Sequence, residues 1–366
     1  MKVTIAAGGT AGHIFPALAL GRRLADEGVQ VGFVGTAAGQ ESRLVPAAGF
    51  AFAAVEARPF VRTVSIEMVR APVAALRSVR QCRPLVEDSD VVVGMGGYAS
   101  VPAGLAALRG RRPLVLHEQN AVPGLANRSL AIPARSVALA FAEAARLLPK
   151  RTRTVVTGNP VRAEILAVPE DRETLAKEAR SELGLDPDRA TVVVFGGSQG
   201  ALHVNRATVE AVERLRHRGD LQILLLTGPA NLAEVRRRLS ENSIPLIRTV
   251  PFLERMELAY AVADLIVGRA GATTVAEISV CGLPSILVPY PYATARHQEA
   301  NARALAHAGA AAILMDHALS GAVLASRITE LIGDRGRLRV MGARASAWAR
   351  PDAAEALARV VREAAR

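Results

Sequence analysis

Two spacings of apolar residues alternate along the chain. Short valine- and leucine-rich runs recur, and most lead into a glycine-rich or polar turn and then a stretch with apolar residues every three or four positions. The first spacing predicts strands buried on both faces, and the second predicts amphipathic helices. "VTIAAGGTAGHIFPALALGRRL" sets the pattern: Val3–Ala7 is a strand, Gly8 to Gly12 a loop able to take positive φ, and the segment from Pro16 a helix. Further strands are predicted at Val29–Gly35, Val91–Met95, Leu114–His117, Ser136–Ala140 and Thr154–Thr157. A second series runs through Thr191–Phe195, Gln222–Thr227, Leu246–Val250, Leu265–Val267 and Ser285–Pro289. Strands that alternate with helices argue for α/β layers around parallel sheets. The polar stretch Pro169–Arg189 separates the two series, so a boundary is expected near Val161–Ala167.

Composition narrows the class. A chain of 366 residues, half of them hydrophobic, suffices for two cores. The net charge of +11 is carried by arginine, since Lys2, Lys150 and Lys177 are the only lysines. Such a field favours anionic partners, whether membrane, nucleic acid or phosphorylated substrate. Aromatics make up only 4%, too few for the stacking platforms of a single-strand nucleic-acid binder. Cys82 and Cys281 have no partner motif and read as buried thiols of a reducing compartment. The chain opens directly on a strand, which argues against a secretory leader, and no apolar run is long enough to span a bilayer.

Candidate chemistry gathers at strand ends. "GGTAGH" ends in His13, "GMGGYAS" includes Gly96, Gly97 and Tyr98, "HEQNAVPG" starts at His117, "TGNPVR" ends in Arg162, and "GGSQGA" contains Ser198 and Gln199. "GRAGATTVAEI" places Thr273, Thr274 and Glu277 on a helix start, with Arg296, His297, Gln298 and Asn301 following. "TVVVFGGSQGALHVN" repeats the strand, glycine turn and helix of the first segment, so two doubly wound domains of similar plan are expected to face each other across a cleft. Ligands bind such sheets beyond the carboxyl ends of the strands. Each loop also has a structural reading as a turn, an amide cap or a helix start.

Together, "GGTAGH", "GGYAS", "HEQNAVPG", "GNPVR", "GGSQGA" and "AGATTVAEI…GLPSILVPYP…HQEANA" resemble the MurG family of glycosyltransferases, in the family's order from Val3 to about Gly309. The resemblance implies a GT-B fold made of two Rossmann-like domains. The acceptor domain would be 1–163, the UDP-sugar domain 164–341, and the helical segment 342–366 would pack back on the first. It also implies inverting transfer of N-acetylglucosamine from UDP-GlcNAc to lipid I, giving lipid II, at the cytoplasmic face of the bacterial membrane. Division or elongation proteins are further partners to consider, and nucleic acid is not. By the same resemblance, Thr10, Ala11, Gly12, Asn120 and Arg162 are binding positions, with Asn120 on the sugar hydroxyls. Ser198 would contact the diphosphate and main chain near Leu253 the uracil. Ala272, Thr273, Thr274, Val275 and Ala276 lead to Glu277, which would accept the ribose hydroxyls, and Gln298 touches the donor. Two positions depart from the family pattern: Ala11 stands where glycine is common, and His297 where glutamine is common.

His13 joins the first glycine turn to its helix, and imidazole titrates near enough to neutrality to take a hydroxyl proton. Binding a phosphate, or a loop hydrogen bond, is the competing role. Helix N-termini and glycine-loop N–H groups can absorb the charge of departing UDP without metal, so no cofactor is expected. Asp88 with Asp90 and Asp186 with Asp188 read as turn residues, not a cation site. Phe60, Val64, Ile66, Met68, Val69, Val73, Leu76 and Val79, interleaved with Arg62, Arg70, Arg77, Arg80 and Arg83, suggest a face for an anionic membrane surface, with Arg109, Arg111 and Arg112 further along. Rival readings are a glycolipid or natural-product glycosyltransferase, a UDP-GlcNAc 2-epimerase, and a non-catalytic partner.

Overall fold

The computed structural model describes residues 1–9, 11–56, 66–197, 199–240 and 246–366, without the side chains of Ala11, 66–75 and Ser240. Thr10, Ser198, Phe60, Arg62 and Val64 lie outside the described residues, as do the side chains of Ile66, Met68, Val69, Arg70 and Val73. The chain divides into two compact units, Met1–Arg162 with Arg350–Arg366, and Ala163–Ala349.

The first unit runs β1 (Lys2–Ala6), α1 (Ala11–Asp26), β2 (Gln30–Gly35), α2 (Glu41–Ala47), β3 (Ala51–Ala54), α3 (Ile66–Glu87), β4 (Val91–Gly94), α4 (Ser100–Arg109), β5 (Leu114–Glu118), α5 (Leu125–Leu130), β6 (Ser136–Leu139) and β7 (Thr154–Val156). Its sheet is parallel throughout, in the order β3-β2-β1-β4-β5-β6-β7. The order reverses between β1 and β4, so the helices that follow these two strands, α1 and α4, pack on opposite faces of the sheet. Alternate residues serve opposite cores. Val91, Val93 and Val115 join Leu20 and Leu24 of α1, while Val92, Leu114 and Leu116 join Val79, Cys82 and Val86 of α3. Such two-sided burial is why these strands read as continuous apolar runs.

The second unit begins with α6 (Ala163–Leu166), α7 (Val168–Leu183), β8 (Ala190–Phe195), α8 (Leu202–Leu215), β9 (Leu221–Leu226), α9 (Leu232–Ser240), β10 (Ile247–Val250) and α10 (Met256–Val262). It continues with β11 (Leu265–Gly268), α11 (Ala272–Val280), β12 (Ser285–Leu287), α12 (His297–His307), β13 (Ala311–Ile313), α13 (Gly321–Gly333) and α14 (Arg335–Trp348). The parallel order β10-β9-β8-β11-β12-β13 reverses between β8 and β11.

The chain then returns to the first unit as α15 (Ala353–Ala365), whose Leu357, Ala358 and Val361 are fully buried with Leu20 and Leu24. The single helical segment expected over 342–366 is thus two helices. Pro351 follows Arg350 at the break, where it has no N–H to continue a ladder, and α14 belongs to the second unit. Two strands that the apolar pattern does not predict are present, β3 and β13, both short and both at sheet edges. Val79, expected on an exposed face, is buried against the sheet, so α3 turns Val79, Cys82 and Val86 inward and leaves Leu76 exposed.

Candidate active site

In the first unit, the loops leaving β1, β4 and β5 meet. Gly97 has φ +78°, and a Cβ there would collide with the carbonyl oxygen of Gly8, so the loop after β4 lies backbone-to-backbone on the first glycine turn. Gly96, at φ +87°, makes room for His13: a Cβ would stand 2.9 Å from the imidazole Cδ2 and 3.1 Å from Nε2. His13 lies in the first turn of α1, half-buried. It lines a cavity of about 60 Å³ with Met95, Gly96, His117, Glu118, Asn120 and Asn127. That volume takes a few waters or part of a ligand, but no whole sugar.

The β5 loop is held from beneath by buried polar groups. His117 is fully buried, and its Nε2–H donates to the carbonyl of Gly158 at 3.0 Å, fixing the tautomer. Burial lowers its pKa from 6.5 to about 4, opposed by that hydrogen bond and aided by the nearby charge of His13. Glu118 accepts from Asn120, Gly124 and Asn127. Burial pushes its carboxyl above the usual carboxylate range, and these donors pull it back. Gln119 donates to the Met95 carbonyl at 3.3 Å, tying the loop to the one after β4.

Arg162 ends the turn that begins at Gly158, and its guanidinium stacks 4.3 Å over the ring of Phe15 in α1. The sequence assigns no role to Phe15, because nothing in the spacing of α1 separates it from the core positions. The Asn159 side chain is buried, and both its polar atoms lack a hydrogen-bond partner among the described residues. Native proteins rarely leave such a group unexplained. Ala11 and Gly12 open α1 beside these loops.

In the second unit, the loops after β8 and β11 flank the reversal of strand order. Leu202, the first residue of α8, follows Ala201, and Ala272 of α11 follows Gly271; neither N-cap residue supplies a side-chain bond, so both helix starts suit an anion. Asn205 and Asn231 both donate to the Thr227 carbonyl, at 2.8 and 3.0 Å, and hold the end of β9 beside the glycine loop. Asn301, fully buried, donates to the Ala270 carbonyl at 3.1 Å, just before α11.

Thr273 and Thr274 lie half-buried in the first turn of α11. Val275 is core, with its N–H on the Gly271 carbonyl at 2.9 Å, and Ala276 is half-buried beside it. Glu277 is buried, and Tyr260 Oη donates to its Oε2 at 2.8 Å. This leaves a carboxylate already oriented, with acceptor capacity on both oxygens. Leu253 is half-buried in the turn after β10.

Gln298, in the first turn of α12, accepts the Tyr290 N–H at 3.0 Å. His297 donates from Nδ1 to the Thr294 carbonyl at 2.9 Å, a local turn bond. Ala295 and Arg296 take left-handed φ values of +51° and +53°, which costs about 1–3 kcal/mol per residue and often marks a functional turn. Arg269, 8% exposed, donates to the carbonyls of Val288 and Pro289 at 3.2 Å and pairs with Asp316 at 2.5 Å; Asp316 in turn meets His203 of α8 at 3.0 Å. Burial works to raise the Asp316 pKa, but Arg269 and His203 outweigh it and hold the carboxyl below its usual range. This ion network between the ends of β11 and β12 and the start of α8 was not legible, because its members are far apart in sequence.

Of the aspartate pairs, Asp186 closes a turn by accepting the Asp188 N–H at 2.9 Å, whereas Asp90 accepts the Lys2 N–H at 2.8 Å and Asp88 pairs with the Lys2 ammonium at 3.6 Å, both long-range contacts to the start of β1. Among the described residues no three His, Cys, Asp or Glu side chains gather as a metal site.

Residues 3–139 match the glycosyltransferase family 28 N-terminal domain and residues 191–357 its C-terminal domain. The chain is 41% identical, over the whole length of both chains, to a Halothermothrix orenii protein named UDP-N-acetylglucosamine–N-acetylmuramyl-(pentapeptide) pyrophosphoryl-undecaprenol N-acetylglucosamine transferase. Among solved structures it resembles Acinetobacter baumannii MurG, with a TM-score of 0.78, 30% identity and 99% of each chain covered. A UDP-GlcNAc 2-epimerase from Neisseria meningitidis superposes with a TM-score of 0.71 over 99% of this chain and 100% of its own, but at 13% identity it shows the fold alone.

Proposed function

The chain belongs to glycosyltransferase family 28, among its MurG-type members, and from that premise we infer how its residues divide the reaction. The protein is an N-acetylglucosaminyltransferase of peptidoglycan precursor synthesis with a GT-B fold. It moves N-acetylglucosamine from UDP-GlcNAc to undecaprenyl-diphospho-N-acetylmuramoyl-pentapeptide, forming lipid II.

In this reading the first unit serves the acceptor and the attacking hydroxyl. His13 takes the hydroxyl proton as the new bond forms, and inversion at the anomeric carbon follows from in-line attack. Asn120 holds sugar hydroxyls, and Arg162, braced on Phe15, offers a guanidinium to an anionic group. The observation that carries the assignment is that His13 and Asn120 line one cavity at the reversal of strand order in the first sheet.

The second unit serves the donor. Glu277 accepts the ribose hydroxyls, its carboxylate aimed by Tyr260. The main chain at Leu253 reads the uracil, and Gln298 contacts the sugar. Gln199 and the glycine N–H groups of the β8 loop, together with the starts of α8 and α11, face the diphosphate and absorb its charge as UDP leaves. This reading uses no metal.

We extend it to location. No helix among the described residues is long and apolar enough to cross a membrane. Exposed Leu76 beside exposed Arg77 and Arg80, with Arg109 and Arg111 also exposed, supports peripheral contact of the first unit with an anionic leaflet.

The test is transfer of labelled N-acetylglucosamine from UDP-GlcNAc to a short-chain lipid I analogue in EDTA, beside an acceptor-free control. Product in EDTA is expected. Product only after divalent metal is restored overturns the metal-free reading, and conversion of UDP-GlcNAc without acceptor overturns the transferase in favour of an epimerase.

A further inference from the structure

Glu118 ends β5 and is 3% exposed, and its buried carboxylate accepts from four donor groups of the following turn. Oε1 accepts from the Asn120 backbone N–H at 3.0 Å and from Asn120 Nδ2 at 3.4 Å. Oε2 accepts from the Gly124 N–H at 3.0 Å and from Asn127 Nδ2 at 2.8 Å. Asn127, itself buried, also donates from Nδ2 to the His117 carbonyl at 3.0 Å, so its amide cannot swing away to another partner without losing both bonds. One carboxylate therefore closes the turn from residue 118 to 127 on itself. It also settles the orientation of the Asn120 amide. A carboxylate only accepts, so the edge of Asn120 facing Glu118 must be its NH2, and the carbonyl edge faces the other way.

We propose that Glu118 is a positioning residue for glycosyl transfer, acting through Asn120: its carboxylate locks the amide so that Asn120 presents its carbonyl oxygen as an acceptor to a sugar hydroxyl. The inference rests on the reading of Asn120 as the residue that holds the sugar. The chemistry at this position has to be that of a carboxylate and not merely of a polar side chain of the same shape. Glutamine has the size of glutamate but replaces one acceptor oxygen with an NH2. On either edge that NH2 would point at two donors, so two of the four bonds are lost and both become donor–donor contacts. On the Oε1 edge Asn120 is freed to flip; on the Oε2 edge the 124–127 side of the turn is released. Both outcomes unfix Asn120 without touching substrate directly. A displacement of about 1 Å at such a group can cost on the order of a hundredfold in rate.

The experiment is a double-mutant cycle with the full-length protein, UDP-GlcNAc and a short-chain lipid I analogue, comparing Glu118→Gln, Asn120→Ala and the double variant. UDP affinity and thermal unfolding are measured on all four chains. If Glu118 acts through Asn120, Glu118→Gln lowers kcat by about tenfold to a hundredfold with UDP affinity unchanged, and in the Asn120→Ala background it costs less than about twofold more. Losses that multiply in the double variant overturn the proposal, as does a Glu118→Gln chain with wild-type kcat or an Asn120→Ala chain with none lost. If Glu118→Gln does not fold, Glu118→Asp replaces it in the same cycle. Aspartate keeps the accepting charge but is one methylene short of its donors, so the same non-additivity is expected and additive losses again overturn the proposal. A wild-type chain that transfers no sugar to the lipid I analogue sinks the functional reading itself. Transfer by wild type with an additive cycle sinks only the role of Glu118.

Discussion

Lowering the pH should loosen the first unit through His117, and the size of the effect follows from its surroundings. The imidazole is fully buried, with Nε2–H on the Gly158 carbonyl and Nδ1 without a hydrogen-bond partner among the described residues. Its pKa falls from 6.5 to about 4 because burial penalises the cation. A depressed histidine contributes stability that is complete above its unfolded pKa and is lost as pH falls toward the folded one. Relative to pH 7, the linkage relation gives a loss of about 2 kcal/mol at pH 5 and about 3 kcal/mol at pH 4 from this one group. Glu118 works in the opposite sense. Its folded pKa is raised, so its contribution is present at low pH and is lost as pH rises through the folded value. A comparison with His117→Gln cancels that term, because Glu118 is in both chains. Glutamine can keep a donor on the Gly158 carbonyl but takes up no proton. Urea unfolding followed by circular dichroism at pH 7, 6 and 5 measures the difference between the two chains. The wild type should lose about 2 kcal/mol more than the variant between pH 7 and 5. A difference that stays constant with pH would refute the argument, because it would mean that His117 is protonated alike in folded and unfolded chains. Since Gly158 opens the turn that carries Arg162, activity should fall over the same range.

Three further outcomes are expected. His13→Ala should lower kcat by about a hundredfold to ten-thousandfold with UDP affinity retained, as steady-state rates and UDP titration will show. Glu277→Ala should weaken UDP-GlcNAc binding about tenfold to a hundredfold by calorimetry, since it removes a charged acceptor already oriented by Tyr260; equal affinity in the two chains removes the ribose assignment. Leu357→Ala, in the returning helix α15, should destabilise the first unit by about 2–5 kcal/mol in chemical denaturation, because its side chain is fully buried with Leu20 and Leu24; a change below about 1 kcal/mol would show that α15 is not part of that core.

What could be read from the chain and what could not divide along a physical line. The central strands were legible because both of their faces are buried, which writes an unbroken apolar run into the sequence: Val91, Val92 and Val93 need no partner to be recognised. The edge strands β3 and β13 are short and only partly buried, so the same rule gives them no such run. The glycine turns were legible for a similar reason, as backbone that must approach backbone leaves a residue without a side chain. The sheet orders then account for where those turns matter. Helices on either side of a reversal go to opposite faces and leave a crevice at the strand ends, and in the first unit His13, Gly96 and Asn120, from the segments after β1, β4 and β5, line a cavity there. The support beneath them left weaker marks. Glu118 stood inside a recognised motif, yet its four donors come from a turn whose closure no periodicity encodes. Phe15 has the spacing of any apolar position on α1 until Arg162 is laid across it. Arg269, Asp316 and His203 come together only after β11, β13 and α8 are in place. Groups that touch a ligand recur as motifs because the ligand's chemistry dictates their type. Groups that aim them are dictated by the fold, so it takes the fold to find them, and Glu118 is where that difference can be measured.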